Sequence, residues 1–395
     1  MRIALDALPL VSSRMTGIGY CEAGQVQAMM MLHPEEQYVL QFFDKGDGAE
    51  KRKRLYYYEQ QRNVSVRQGH FSGYLYRLMT TAIPLPYRAF FGKDVDITHF
   101  FNYIIPPGVA GKRIVTVHDM VYKTFPETVR GRTRFMLESG LQRSLHRADL
   151  IVTDSEFSKT EIIRYFPATE ERIRVVPCGV DKLRFSPMPP AAAPAIEELK
   201  RRMHLQANYF LYLGTLEPRK NLDRLIRAYA LLKQQHPDAP QLVLAGGYGW
   251  RNNHIYQLVQ TLHLEDDVLF TEYVPEEDVQ PLLCGAMAFV FPSVYEGFGM
   301  PPLEAMACGT PVLTTRAASL PEVVGDAAVI VDPHHTEDIA QGLEKLFLDA
   351  ALRERLQKEG LRRAAMFSWE NAAAALYDVY QEALTRWADR FGFYW

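Results

Sequence analysis

The chain has 395 residues, 48% of them hydrophobic, which is apolar material for two full cores rather than one. Its 44 Lys and Arg nearly balance 47 Asp and Glu for a net charge of −3, and no reader motif is present, which argues against a nucleic-acid partner. The four cysteines, Cys21, Cys178, Cys284 and Cys308, are far apart and form no close pair, so neither a zinc site nor a disulfide framework is indicated and a reducing, cytoplasmic setting is expected.

Met1 leads straight into an apolar run, without the basic and apolar segments of a secretion signal. Short apolar runs then alternate with amphipathic segments to the end of the chain, which predicts an α/β fold of doubly wound parallel sheets. In the first half, strands are predicted near 2–7, 38–43, 97–100, 113–117, 149–153 and 173–176, with helices near 19–31, 132–146 and 156–165. After the first strand, Thr16-Gly17-Ile18-Gly19-Tyr20 opens a helix, a turn that can hold phosphate or sugar against backbone N–H groups. A tight turn before a helix explains the two glycines equally well.

Residues 1–185 hold 26 Lys and Arg against 20 Asp and Glu, a net +6 that leaves −9 for the remainder. Lys51-Arg52-Lys53-Arg54, followed by Leu55 and Tyr56-Tyr57-Tyr58, offers a contact for anionic lipid or an anionic acceptor, although a solvated helix face is the commoner explanation of such a run. The most apolar stretch, residues 71–91, is broken by Arg77, Arg88 and two prolines and cannot span a bilayer, so the chain is expected to be soluble or peripheral at the inner face of a membrane. Ligands of parallel α/β sheets sit beyond the carboxyl ends of strands, and there His118-Asp119 follows Ile114-Val115-Thr116-Val117.

Composition changes abruptly at residues 186–194, too rich in proline for the interior of an element. A linker over 186–196 is therefore predicted between a first domain, 1–185, and a second, 197–367, with strands near 209–213, 241–245, 287–291 and 311–314. Gly214-Thr215-Leu216-Glu217-Pro218-Arg219-Lys220-Asn221 leads into a helix near Leu222. Two adjacent cations at a helix start oppose the macrodipole, so an anionic ligand is the expected compensation. Next, Glu296-Gly297-Phe298-Gly299-Met300-Pro301-Pro302-Leu303-Glu304 sets two carboxylates around a glycine turn where a strand meets a helix. Prolines in a helix's first turn sacrifice no backbone donor, and carboxylates beside free N–H groups suit a polyhydroxylated, phosphorylated ligand. The tail, 368–395, has a helical pattern with Trp369, Leu376, Tyr380, Leu384 and Trp387 on its apolar face.

The Glu-x7-Glu string running on to Val312, with Pro218-Arg219-Lys220-Asn221 and the segment His118 to Glu127, resembles the retaining glycosyltransferases of family 4. The resemblance implies the GT-B fold, in which two Rossmann-like domains face a central cleft and a C-terminal helix, here 368–395, crosses back to the first domain. It implies a nucleotide-diphosphate sugar donor on the second domain and a glycan or lipid-linked saccharide acceptor on the first. It also implies roles: His118 touches the transferred sugar near its phosphate, with Asp119 orienting it or capping local backbone. Arg219 and Lys220 neutralise the diphosphate, Glu296 accepts from a sugar hydroxyl, Glu304 from the ribose, and the main chain around Phe298, Gly299, Met300 and Pro301 serves sugar or phosphate. Gly17 and Gly19 join the donor set, while Gly246 to Trp250 and Glu272 to Pro275 correspond to the region of the base. Likeness of two of these segments to mannosyltransferases puts GDP-mannose first, ahead of UDP-sugars and dTDP-rhamnose. No metal or other cofactor is expected, because positive side chains stand where a divalent ion would act.

An oxidoreductase would need Gly-x-Gly-x-x-Gly in the first turn, but Gly17 and Gly19 are followed by Glu22. Glycosidases also use two carboxylates, without a diphosphate site beside them. A sugar phosphorylase or synthase using the same site, and a non-catalytic nucleotide-sugar-binding protein, stay open.

Overall fold

Ile3, Ala4 and Leu5 have no solvent exposure, as expected for a strand covered on both faces, and they lie in the middle of a parallel sheet. The computed structural model describes residues 1–12, 15–80, 83, 85–247 and 253–391, without the side chains of 74, 77, 253 and 386–391. Its backbone forms two units, Met1–Gly179 with Trp369–Trp395, and Val180–Ser368.

The first unit contains β1 (Arg2–Asp6), β2 (Gln37–Asp44), β3 (Val64–His70), β4 (Ile97–Phe100), β5 (Lys112–Thr116), β6 (Leu150–Thr153) and β7 (Ile173–Val175), in spatial order β3-β2-β1-β4-β5-β6-β7. In the second, β8 (Tyr209–Leu213), β9 (Gln241–Ala245), β10 (Val268–Glu272), β11 (Ala288–Phe291), β12 (Val312–Thr315) and β13 (Val329–Val331) take the order β10-β9-β8-β11-β12-β13. Every strand pair is parallel. Both orders reverse once, between β1 and β4 and between β8 and β11, and at such a switch point the loops diverge and leave a crevice beyond the strand ends.

Three strands, β3, β10 and β13, are absent from the expected set, and all three are sheet edges. An edge strand is covered less than a central one, so it needs no continuous apolar run; Val64–His70 reads as a mixed polar segment and only Gly69 in it is buried.

The division into units also falls earlier than the proline-rich segment suggests. Residues 186–194 belong to the second unit, where Pro190–Ala192 forms a 3-10 turn, Ala193–Arg202 a helix, and Gln280 Nε2 donates to Ser186 O at 2.9 Å. Prolines fit there because they stand at the start of a helix, where no N–H is required.

The helix Trp369–Phe391 belongs to the first unit, with Leu376 and Tyr380 fully buried beside Ile3, Leu5 and Tyr38. Tyr380 Oη lies 2.7 Å from His99 Nδ1, Arg174 Nε donates to Glu382 at 2.7 Å, and a Cβ at Gly24 would overlap the Trp369 ring. Trp369 and Leu384 are partly buried against the same core; the Trp387 side chain lies outside the described residues. Among the described residues no helix is long and apolar enough to cross a membrane.

Candidate active site

The reversal of the second sheet places the turns after β8 and β11 side by side, and the two strongest sequence signals occupy those turns. After β8 the chain makes the 3-10 turn Pro218–Lys220, and Asn221 then adopts a left-handed conformation, φ 62°, before the helix Leu222–Gln235. Asparagine tolerates that region, and here its Nδ2 donates to Pro292 O at 3.1 Å and Pro333 O at 2.7 Å, pinning the turn to the loop after β11. The result brings Arg219 and Lys220 onto Glu296: Arg219 Nη1 donates to Oε2 at 2.8 Å and Lys220 Nζ to Oε1 at 2.6 Å. Glu217 adds a second carboxylate, 3.3 Å from Arg219 Nε.

The anticipated compensation of the paired cations by a bound anion is thus corrected in part, because Glu296 and Glu217 supply it from within. Lys220 and Glu296 are both buried. Burial alone would raise the Glu296 carboxyl, but the charges of Arg219 and Lys220 outweigh it and bring it down to about 2. Lys220 is lowered by burial first and by Arg219 next, with Glu296 opposing.

Gly299 has φ 120°, a region that disfavours any side chain, and an added Cβ would stand 2.9 Å from Leu320 Cδ2. It precedes the helix Met300–Ala307, in whose first turn Pro301 and Pro302 carry no N–H, leaving that of Met300 as the donor of that turn without an intrahelical acceptor. Phe298 is buried against Phe367, and the Ser319 hydroxyl lies 2.9 Å from Glu296 O and 2.7 Å from Phe298 O, fixing this loop. Glu304 is half-buried, its carboxylate has no hydrogen-bond donor among the described residues, and desolvation raises it to about 7, with the charge of Arg184 opposing. At Gly246, φ 147°, a Cβ would overlap Gly214 O, so the ends of β8 and β9 approach as closely as only glycine allows. Tyr248, Gly249 and Trp250 lie outside the described residues, while Glu272 closes β10 in a left-handed conformation, φ 58°.

In the first unit, Gly17 and Gly19 form the first turn of the helix Gly17–Leu32, and open space surrounds the position of a Gly17 side chain. Thr16 and Ile18 of this turn line a cavity of about 480 Å³ with Asp47, Lys51, Arg54 and Asn102. The basic run is therefore only half a solvated face: Lys51 Nζ donates to Phe43 O at 3.1 Å and Arg54 Nη1 to Val11 O at 2.6 Å, while Arg52 and Lys53 pair with Glu59 and Glu50.

His118, after β5, is buried with both ring nitrogens engaged, Nδ1 with Asp154 Oδ2 at 2.6 Å and Nε2 with Phe101 O at 2.8 Å. Both partners are acceptors, so the ring donates at both ends only as an imidazolium. Burial pulls the group down, but Asp154 overrides it and pushes the histidine up to about 10. The expected contact of this side chain with a sugar has no free ring nitrogen to use in this arrangement. Asp119 Oδ1 accepts from Tyr103 Oη and Val121 N, both at 3.1 Å, which makes it a local cap. Asp154 escaped the sequence reading, although it also follows an apolar strand, Leu150–Thr153, and the same strand-end rule would have selected it.

The cysteines need a second correction. Cys21 and Cys178, 157 positions apart, have sulfurs 3.1 Å from each other, and Cys284 Sγ donates to Ser186 O at 3.5 Å and to Cys308 O at 3.7 Å. Cys21, His118 and Asp154 offer ligand atoms within 4.8 Å of one another. Tetrahedral metal ligands stand about 3.3–3.8 Å apart, given bonds of about 2.0–2.3 Å. The direct His118–Asp154 hydrogen bond would have to open first.

A family model described as Glycosyltransferase Family 4 matches residues 39–184, and one described as Glycosyl transferases group 1 matches residues 197–363. O-antigen chain mannosyltransferase B of Escherichia coli is 38% identical over 288 residues, 72% of this chain and 74% of that protein. A serotype-specific mannosyltransferase WbdA of Escherichia coli is 32% identical over 67% of this chain, which spans only 33% of that protein's length. The Anabaena protein HepE, solved in complex with UDP and glucose, shares the fold with a TM-score of 0.72 over 97% of this chain and 100% of its own, at 18% identity.

Proposed function

This chain belongs to the family 4 glycosyltransferases and has their GT-B fold, and we propose that it moves a hexosyl group, mannose from GDP-mannose in the first instance, to a glycan or lipid-linked saccharide with retention at the anomeric carbon. The observation that carries this reading is the cluster of buried Lys220 and Glu296 with half-buried Arg219 at the switch point of the second sheet, beside the loop that leads to Glu304, a carboxylate without a hydrogen-bond donor among the described residues. Breaking a sugar–phosphate bond leaves negative charge on the diphosphate, which Arg219, Lys220 and the N–H of Met300 are placed to stabilise. As the diphosphate draws the two cations, Glu296 is released to accept from a hydroxyl of the sugar. These cations do the work a divalent ion would otherwise do, and the leaving phosphate takes the acceptor's proton on the face of attack, so no protein base is assigned. The two mannosyltransferase relatives support mannose, and the neighbour solved with UDP supports a nucleotide donor. The cavity beside Gly17 and Gly19, with Lys51 and Arg54 in its wall, is the proposed acceptor pocket.

Donor breakdown should depend on both the donor and the acceptor. With GDP-mannose and an α-mannan oligosaccharide, GDP release is expected to exceed that with UDP-glucose or dTDP-rhamnose, and proton NMR of the product should show the α anomer. A β-linked product would remove retention, equal release from all donors would remove the mannose assignment, and release sustained by inorganic phosphate alone would favour the phosphorylase.

Glu304 supplies a pH test. A ribose hydroxyl donates best to the ionised carboxylate, so binding prefers the form that dominates above about pH 7. Affinity for GDP-mannose, whose diphosphate has no proton to lose near neutrality, is expected to rise from pH 6 to pH 8, by up to about tenfold per unit below the carboxyl's pKa. The profile should flatten in Glu304→Gln. Calorimetry that finds the wild-type profile already flat would take Glu304 away from the ribose.

A further inference from the structure

The cavity of about 480 Å³ in the first unit stands at that sheet's own switch point. Leu8 and Pro9 reach it from the end of β1, Asn102 from the end of β4 and Asp47 from beyond β2, so the carboxyl ends of three neighbouring strands converge on it. Asn102 is placed there by its neighbours. Phe101 and Tyr103 are buried: Phe101 O accepts from His118 Nε2 at 2.8 Å, while Tyr103 N donates to Thr116 O at 3.0 Å and Tyr103 Oη to Asp119 at 3.1 Å. The half-buried residue between them is thus fixed in its main chain, yet its own side-chain amide makes no hydrogen bond among the described residues. The Thr16 side chain, on the same wall, does not cap the helix it precedes. An amide offers two donors and an acceptor without charge, a set that suits hydroxyl groups. The charges around it cancel. Lys51 and Arg54 share the wall with Asp47 and Glu50, and both cations are already engaged, Lys51 Nζ by Asp47 Oδ1 at 2.9 Å and by Phe43 O, Arg54 Nη1 by Val11 O.

We propose that this cavity takes the uncharged end of a neutral glycan, that Asn102 reads its hydroxyls, and that Asp47 and Glu50 turn away a chain whose end carries phosphate or carboxylate. The inference rests on the reading of the cavity as the acceptor pocket and narrows that reading to one class of acceptor. Hydroxyls that leave water cost their hydration unless each finds a partner, and the Asn102 amide supplies partners on a backbone that has no need to reorganise. A phosphorylated end would lose far more hydration, would meet as many carboxylates as cations, and would gain no net attraction in return. In a lipid-linked acceptor the diphosphate then lies outside the cavity, with sugar units between. Deleting the Asn102 side chain breaks no bond inside the protein, so its effect on a ligand is not masked by unfolding.

Saturation-transfer NMR would titrate the full chain with α-mannotriose and with the same trisaccharide carrying a phosphate on its terminal sugar, a measurement that needs no turnover. The neutral sugar is expected to bind at least about tenfold more tightly, the effect of mismatched charge at a binding surface. Asn102→Ala should weaken it about fivefold, the worth of one neutral hydrogen bond, and leave GDP affinity by calorimetry within about twofold. Glu50→Lys, at an exposed helical position, should narrow the preference about threefold, the size of an exposed ion pair. Equal or tighter binding of the phosphorylated sugar, or binding of neither, would overturn the neutral class. Unchanged affinity in Asn102→Ala while Glu50→Lys acts would remove Asn102 as the reader. A neutral preference that neither variant moves would put the acceptor elsewhere and sink the pocket reading itself. If the preference and both shifts hold but no nucleotide sugar is consumed, the transfer reading fails while the sugar site stands.

Discussion

His118→Ala is expected to lower the unfolding free energy of the first unit by about 3–5 kcal/mol, because it strips the partner from a buried carboxylate. Asp154 is only 4% exposed, and in the intact protein the imidazolium holds it at 2.6 Å. Denaturant unfolding followed by tryptophan fluorescence measures the loss. The pH dependence adds a sign. The histidine stands at about 10 in the folded chain against 6.5 as an ordinary group, so the pair's contribution is complete below pH 6.5 and is lost as pH rises through about 10. Wild-type stability should therefore fall between pH 8 and pH 10 more steeply than that of the alanine variant. Nitrogen-15 shifts should show both ring nitrogens protonated at pH 8. A variant as stable as its parent, impaired only in sugar transfer, would return His118 to direct contact with the substrate.

Lys220→Ala combines two effects of similar size. Turnover should fall by about 10²–10³, the cost of deleting one preorganised group from a developing charge. Stability should also fall by about 1.5–3 kcal/mol, the worth of one hydrogen bond to a charged group, since Glu296 keeps Arg219 but loses Lys220 in a buried position. The two effects separate in Lys220→Met with Glu296→Gln, where neither side chain is charged: stability should recover in large part, and turnover should not. An unchanged kcat with only a raised KM would mean that Lys220 binds donor and transition state alike. Acid unfolding reads the same cluster from the other side. Glu296 is held near 2 against an ordinary 4.5, so its contribution is present above pH 4.5 and disappears as pH falls through about 2.

The sequence by itself determined the α/β class, the two units, and the central strands, because a strand covered on both faces must be an unbroken apolar run. It also located the two turns of the proposed donor site, since a proline-led cation pair and a glycine turn between carboxylates are local arrangements within a few residues of a strand end. Three of the four edge strands, Val64–His70 among them, escaped the same reasoning, because an uncovered outer side imposes no apolar period. What only the tertiary structure decided are partnerships between distant residues. Glu296 was legible as a carboxylate at a turn, but not as the counter-charge of Arg219 and Lys220, some 76 positions away. His118 was legible as a strand-end histidine, but not as the partner of the buried Asp154 carboxylate, 2.6 Å away. Cys284 and Cys308 sit at the ends of two helices that flank β11, and parallel strand packing brings such ends together whatever the length of chain between them. Protonation and reactivity depend on the nearest charge and the nearest solvent in space, and those neighbours come into being only when the sheets assemble.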